Sequence, residues 1–171
     1  MVRFQIVQEI RAPPAFVVNW WLDYRSDDPQ LTPGLVRRKV ERIDENRIHL
    51  STTAEFAGRL RTTDGTVTRT GPANWHMTGH VISNGIVVST LQTAYSVAST
   101  PIGSRVSADF EFVGRSLAWR LALAVSGYSL RRRQRTAFRD YARAIEQAYS
   151  VPTRPPEPPP IEPPAQRSIA S

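Results

Sequence analysis

The chain has 171 residues, of which 40% are hydrophobic, and it includes four Trp, five Tyr and six Phe, a globular composition sufficient for one domain with a real core. It contains no cysteine, which excludes disulfides, zinc-thiolate sites, iron-sulfur clusters and thiol nucleophiles. The net charge is +7, and most of it lies between residues 116 and 149, where seven arginines accompany two acidic residues.

The chain opens with a predicted strand and a predicted short helix. Residues 2–10 alternate apolar and polar side chains, which is typical of a strand with one buried face. Pro13 and Pro14 end this strand and suit a helix start, because proline lacks the N–H that would be unpaired there. The helix is predicted to pass Trp20 and Trp21 and to end at about residue 24. Residues 25–34 are predicted to form a loop or one further turn.

Six strands are predicted between residues 35 and 112, connected by turns. Asn84 and Gly85 give the clearest hairpin signal, because both residue types tolerate positive φ. Asp64 and Gly65 suggest a bulge or a turn within one of the strands. The expected strands cover residues 35–43, 47–56, 59–70, 75–81, 86–99 and 106–112.

A long helix is predicted from Ser116, which can act as the N-cap, to Tyr149, since this stretch has no proline and a single glycine. Two stripes compete for its buried face. The stripe that contains Gln134 and Tyr141 is preferred for the middle of the helix, because it keeps arginine out of the interface. The first stripe comprises Leu117, Leu121, Ala124, Tyr128, Arg131, Arg135, Phe138, Ala142, Ile145 and Tyr149, and the second comprises Leu123, Gly127, Leu130, Gln134, Phe138, Tyr141 and Ile145.

Residues 150–171 are predicted to form a disordered, proline-rich tail. Eight of the 14 prolines fall between residues 152 and 164, where almost nothing is apolar, so polyproline II or disorder is favoured. Residues 1–149 are then expected to be one folded domain. Recognition by a proline-binding domain is the alternative to a merely solvated tail.

The segment from Ile10 to Tyr24 contains a strand end, Ala-Pro, a short apolar helix and Asp-Tyr. It resembles the opening of START-like (SRPBCC) proteins, the superfamily of polyketide cyclases, coenzyme Q-binding proteins and Bet v 1-like allergens, and the element order over residues 2–149 is similar too. The resemblance implies an α+β helix-grip fold. In this fold a curved antiparallel sheet of about seven strands surrounds a long C-terminal helix, with one or two short helices after the first strand. It implies no catalytic residue and no cofactor.

The resemblance also implies an apolar cavity between sheet and helix that holds a lipid, an isoprenoid or a polyketide-like molecule. Binding or carriage of such a ligand is the expected function. Alternating side chains of neighbouring strands should converge on one concave face. Plain core packing is the alternative role of the large aromatic residues. The candidate ligand-binding residues are Trp20, Trp75, Met77, Leu91, Tyr95, Ala108, Phe110 and Leu123.

Two other functions stay open. An enzyme of the cyclase or dehydratase type would show a polar cluster with perturbed pKa values in the cavity. An interaction module would have a filled cavity and would dock on an anionic membrane surface or a nucleic acid through a basic cluster, whose alternative role is a solvated helix face. That cluster comprises Arg131, Arg132, Arg133, Arg135 and Arg139.

No metal site is expected from the three histidines. His76 and His80 share a strand, and four residues of strand span about 13 Å, too far for both to reach one ion. Asp109 and Glu111 alternate with apolar residues and should point to solvent. The chain lacks a long apolar stretch and begins without the apolar core of a secretory signal, so a cytoplasmic location is expected, while the oligomeric state is left open.

Overall fold

The computed structural model describes residues 1–23, 35–56 and 58–150, and these residues form seven strands and two helices. In chain order the elements are β1 (Val2–Ile10), α1 (Pro14–Leu22), β2 (Leu35–Arg42), β3 (Arg47–Phe56), β4 (Arg59–Arg69), β5 (Asn74–Ser83), β6 (Ile86–Thr100), β7 (Gly103–Gly114) and α2 (Leu117–Ser150). The predicted α+β class and the predicted long terminal helix are confirmed.

All seven strands belong to one antiparallel sheet in the order β1-β7-β6-β5-β4-β3-β2. Strands β2 to β7 form a meander, and β1 pairs along its whole length with β7, from the pair Val2 and Phe112 to the pair Ile10 and Ser104. The first strand therefore joins the last, which places β1 and β2 at opposite edges of the sheet. Helix α2 follows β7 directly and packs on β1 and β7.

The predicted bulge or turn at Asp64 and Gly65 is wrong, because β4 runs through both residues without a register shift. Gly65 lies opposite Gly79 of β5. A Cβ atom on Gly65 would be 2.5 Å from the carbonyl oxygen of Thr78 and 2.9 Å from the Cα atom of Gly79. The glycine pair thus allows two strands to approach more closely than side chains would permit, which is a second use of glycine in strands besides turns.

Two predicted local signals appear as expected. Asn84 and Gly85 have φ values of 51° and 76°, the left-handed region that a two-residue hairpin requires. Ser116 caps α2, since its Oγ accepts a hydrogen bond from the backbone N–H of Trp119 at 3.3 Å.

The preferred stripe of α2 is the buried one. Leu123, Phe138 and Ile145 are buried, and Gly127 lies against Val2 of β1. The C-terminal half of the helix is held at the α1 end of the sheet. There the backbone N–H of Arg11 donates to the Glu146 carboxylate at 2.8 Å. The members of the competing stripe from Leu117 to Arg135 face outward, whereas its Ala142 is buried, as are Phe138 and Ile145, which both stripes share.

The predicted end of α1 near residue 24, the loop or turn at 25–34 and the tail after residue 150 lie outside the described residues. Neither of the two described helices combines the length and the hydrophobicity needed to cross a membrane.

Candidate functional site

A cavity of about 540 Å³ lies between the concave face of the sheet and α2. Side chains from α1, from strands β2 to β7 and from α2 form its wall. On β3 the residues that face the cavity become smaller along the strand, from Leu50 to Thr52 to Ala54. Short side chains on a curved sheet cannot reach the helix, so the space between them remains open.

Six of the eight predicted ligand-binding residues lie in this wall. They are Trp20, Met77, Leu91, Tyr95, Phe110 and Leu123. These residues belong to α1, β5, β6, β7 and α2, and the first and last are about a hundred residues apart in the sequence.

The other two predicted residues, Trp75 and Ala108, lie outside the wall. Trp75 is 1% exposed, and its ring stacks behind Tyr95 with a centroid distance of 5.1 Å. Ala108 is fully buried in β7 between its register partners Ile6 and Tyr95. Both share the inward face of the sheet with the wall residues, but they sit where that face is already covered by packed side chains.

Packed aromatic rings close one end of the cavity. Phe138 of α2 lies at the centre of this group. Its ring centroid is 5.1 Å from that of Trp21, 6.1 Å from that of Phe110 and 6.4 Å from that of Tyr95. Such contacts fix the rings through both area and geometry. These packed rings therefore form a rigid floor of the cavity, against which a bound molecule would pack.

Polar groups also reach the wall near this floor. Arg38 of β2 donates a hydrogen bond to the phenol oxygen of Tyr141 at 3.4 Å. Burial raises the pKa of Tyr95 well above its ordinary value; Tyr141 adds to this shift, while Arg38 and Thr93 oppose it. The Tyr95 phenol therefore stays protonated at neutral pH. It is suited to donating a hydrogen bond and not to accepting a proton from a substrate.

Thr52 contributes a further polar atom. Its hydroxyl is buried in the wall and has no hydrogen-bond partner among the described residues. A buried hydroxyl without a partner is costly, so this position offers a hydrogen bond to an occupant of the cavity.

Three arginines, Arg61, Arg132 and Arg133, line the cavity, and sequence reasoning did not place any of them there. Arg132 and Arg133 were expected on the solvated basic cluster, and Arg61 was not singled out. Arg133 donates from Nη1 to the backbone carbonyl of Glu55 at the end of β3. Arg61 is in register with Ala54 of β3, and its guanidinium carbon lies 5.3 Å from the centroid of the Trp119 ring. The remaining members of the predicted cluster, Arg131, Arg135 and Arg139, are exposed and outside the wall.

The other titratable candidates face away from the cavity. His49 lies 3.2 Å from the Asp64 carboxylate, a partner that the sequence did not reveal. Glu111 pairs with Arg3 at 2.8 Å, and Asp109 is exposed, so both acidic residues point outward as predicted. Within the described ranges no group of three or more His, Asp or Glu side chains is arranged to hold a metal ion.

Several solved structures share this architecture. The Zhui aromatase/cyclase from Streptomyces sp. R1128 aligns over 87% of this chain and 96% of its own, with a TM-score of 0.71 and 11% identity. The chain has a START-like helix-grip fold. A START superfamily protein from Mycobacterium smegmatis aligns over 87% of this chain and 97% of its own, with a TM-score of 0.60 and 11% identity.

The Bet v 1-like protein Ara h 8.0201 shares the START-like fold as well, with a TM-score of 0.63, 10% identity, and coverage of 85% of this chain and 97% of its own. No protein-family model matches the sequence, and no curated protein matches it. At these identities the likeness shows the fold, and any activity must be argued from the cavity itself.

Proposed function

We propose that the protein binds and carries a small hydrophobic molecule in the cavity between the sheet and α2. The observation that supports this is the cavity itself, about 540 Å³ of space in a wall made mainly of aliphatic and aromatic side chains. Protein interiors are close-packed, and voids larger than a water molecule are few. A volume within the usual range of ligand pockets is therefore better explained by an occupant than by loose packing.

The wall favours carriage over catalysis. Its described residues include hydroxyl groups, one glutamine and arginines, but no His, Asp or Glu that could accept a proton near pH 7. Tyr95 and Tyr141 can orient a carbonyl or hydroxyl group of the ligand. An aromatase/cyclase is among the proteins of similar fold, so the enzyme alternative is testable: purified protein would have to convert a polyketide-like substrate and lose that activity in Tyr95→Phe.

The carrier proposal is tested by extraction and by probe binding. Organic extraction of the purified protein followed by mass spectrometry should recover a hydrophobic compound that a heat-denatured, washed control lacks. A neutral probe, N-phenyl-1-naphthylamine, should gain fluorescence on binding and should stabilise the fold. At 100 times its dissociation constant the stabilisation should be about 2.7 kcal/mol. No extracted compound together with no probe binding would contradict the proposal.

A second candidate function concerns the outward face of α2, the docking face, formed by four apolar residues at helical spacing. Leu117, Leu121, Val125 and Tyr128 are 73%, 61%, 87% and 80% exposed. Four exposed apolar residues together on one helix face mark an interaction surface. The same face continues into Arg131, Arg135 and Arg139. An apolar face that continues into arginines fits an anionic membrane interface better than a nucleic acid, since a nucleic acid would use only the arginines.

We therefore infer that the docking face contacts anionic membranes. The cavity, on the opposite side of the helix, would then take up its ligand from the bound membrane. Vesicles of phosphatidylcholine with phosphatidylserine should co-sediment the protein, and vesicles of phosphatidylcholine alone should not. Val125→Asp should weaken this binding, and Ile86→Asp, at the exposed β5–β6 hairpin, should not. Equal binding of duplex DNA by the parent and Val125→Asp, without vesicle binding, would point to nucleic acid instead.

A further inference from the structure

The sheet has two edge strands, β1 and β2, which differ in how well they resist pairing with another chain. An edge strand directs a row of backbone N–H and C=O groups away from its neighbour, and this row is a template for a further strand. Bulges and charged side chains, lysine above all, commonly block it. Strand β2 has both, since its register shifts between Leu35 and Arg37 and it carries Lys39 and three arginines against one glutamate. Two copies of β2 would therefore repel each other.

Strand β1 has neither of these protections. It pairs with β7 at every residue from Val2 to Ile10 without a register shift, and it contains no proline or lysine. Among the described residues, no backbone hydrogen bond joins it to an element other than β7, and the Glu9 carbonyl accepts one from the Gln8 side chain. Successive residues of an antiparallel strand direct their hydrogen-bonding groups to opposite sides, so about half of the β1 residues direct them away from β7.

A second copy of β1 matches this strand in length and in the pattern of its side chains. When two copies lie antiparallel and overlap over the whole strand, Ile6 lies on the twofold axis and Val2 lies opposite Ile10 of the second copy. The same register places Arg3 opposite Glu9, and both side chains project from the outer face of the sheet. Because of the twofold symmetry, this opposite-charge pair forms twice.

The register with the greatest overlap is also the one that pairs the charges. A shift of two residues is the smallest that keeps every side chain on its face, and it would place Arg3 opposite Val7 or opposite Arg11. Neither alternative pairs Arg3 with an acidic residue. The side chains of Arg3 and Glu9 are 63% and 40% exposed, so both are accessible to a second copy.

Charges on β7 extend this pair into a network. Within one chain Arg3 contacts Glu111 at 2.8 Å, and Arg105 contacts Glu9 at 2.6 Å. Across the two copies the order Glu111, Arg3, Glu9 and Arg105 alternates in sign, with the first two residues in one copy and the last two in the other. Each charge of β1 thus keeps its partner within the chain and gains one in the second copy. Exposed ion pairs contribute more in such networks than alone.

We propose that β1 is a self-pairing edge, through which two copies of this chain form a symmetric dimer with one continuous antiparallel sheet. Val7, which is 50% exposed near the middle of the strand, would be covered beside the twofold axis. A strand pair without further contacts buries less than the roughly 1,600 Å² of a standard interface. The dimer should therefore be weak and should form as the protein concentration rises.

Sedimentation velocity of the full chain over a range of concentrations measures the dimer, and hydrogen exchange locates it. The amides of residues 2–10 should be better protected at high concentration than at low concentration. Val7→Lys puts two lysines beside the axis and should raise the dimer dissociation constant about tenfold or more. The matched control Ile86→Lys, at an exposed branched residue of the β5–β6 hairpin, should leave the constant unchanged.

Charge variants test the register. Arg3→Glu and Glu9→Arg each bring like charges together twice and should each raise the dissociation constant about tenfold. Mixing the two variants restores both pairs, because every contact then joins a carboxylate of one copy to a guanidinium of the other. Native mass spectrometry, which separates the species by mass, should show the heterodimer in excess of both homodimers. Circular dichroism and thermal unfolding confirm that each variant is folded, and Val7→Lys serves if a charge variant does not fold.

Three results would overturn the proposal. The first is a chain that stays monomeric up to its highest soluble concentration. The second is a dimer that Val7→Lys leaves intact and Val125→Asp disrupts, because the docking face would then be the interface. The third is a mixture of the charge variants without excess heterodimer, since the strands would not have the inferred register. The β1 residues tested lie outside the cavity wall and the docking face, so the outcome depends on neither a ligand nor a membrane.

Discussion

Partly filling the cavity from α2 should weaken ligand binding without destabilising the fold. Ala137 lies on the cavity-facing side of the helix, one turn after Arg133, and Ala124 is exposed on the same helix. The change Ala137→Phe places a ring in the open space, and Ala124→Phe is a control with the same change in helix propensity. The cavity volume of about 540 Å³ greatly exceeds one phenyl group.

The expected magnitudes follow from that space. Burying a phenylalanine side chain contributes about 1.5–3 kcal/mol, and overpacking costs about 1–3 kcal/mol where no space exists. With space available, the free energy of unfolding of Ala137→Phe should equal or exceed that of Ala124→Phe. The parent and Ala124→Phe should gain about 2.7 kcal/mol from a probe at 100 times its dissociation constant, a rise of about 5–11 °C in melting temperature for a chain of this size.

Probe titration and thermal unfolding of the three proteins are the assays. In Ala137→Phe the probe should raise the melting temperature less than it does in the parent and in Ala124→Phe. The reasoning is refuted if Ala137→Phe is less stable than Ala124→Phe by more than about 1 kcal/mol, since the ring would then have met packed side chains. Undiminished probe binding in a stable Ala137→Phe would show that the probe binds elsewhere.

Three further predictions concern the fold. Gly65→Ala should lower the free energy of unfolding in urea by about 1–3 kcal/mol, because the added Cβ atom would meet the backbone of β5. The control Gly71→Ala should lower it by less than about 1 kcal/mol, because that Cβ atom would be 3.6 Å from the side-chain amide nitrogen of Asn74. Equal losses would contradict the close-approach argument. Because the pKa of Tyr95 is raised in the folded protein, the Tyr95 phenol loses its proton at lower pH in the unfolded chain, so the free energy of unfolding should fall as pH rises above about 10. Tyr95→Phe should lessen that fall. The control Tyr128→Phe, which changes an exposed tyrosine, should not. Deleting residues 151–171 should leave the melting temperature within a few degrees, because the segment has almost no apolar surface to bury; a large loss would mean that residues 1–149 are not the folding unit.

Local patterns predicted the elements closely because their causes are local. Alternation along residues 2–10, the Asn84 and Gly85 turn and the Ser116 cap each depend on a few neighbouring residues, and each appears where expected. The choice between two stripes for the middle of α2 also came out correctly, because burying arginine without partners costs more than exposing leucine. Gly65 shows the limit of such reasoning, since the same residue type serves turns and close strand approach.

What the amino-acid sequence alone determined is therefore the order of the elements and the face that each turns inward, since a side chain's direction follows from the period of its own helix or strand. Only the tertiary structure decided which inward residues face open space. Trp75 and Tyr95 lie opposite each other on paired strands, yet only Tyr95 borders the cavity, because Trp75 is covered by it. Arg132 and Arg133 belong to the same basic run as Arg131, yet the path of α2 across the curved sheet brings them to the cavity wall, with Arg133 in contact with β3. The spacing between elements depends on sheet curvature and on packing between distant residues, and no local period in the sequence records it.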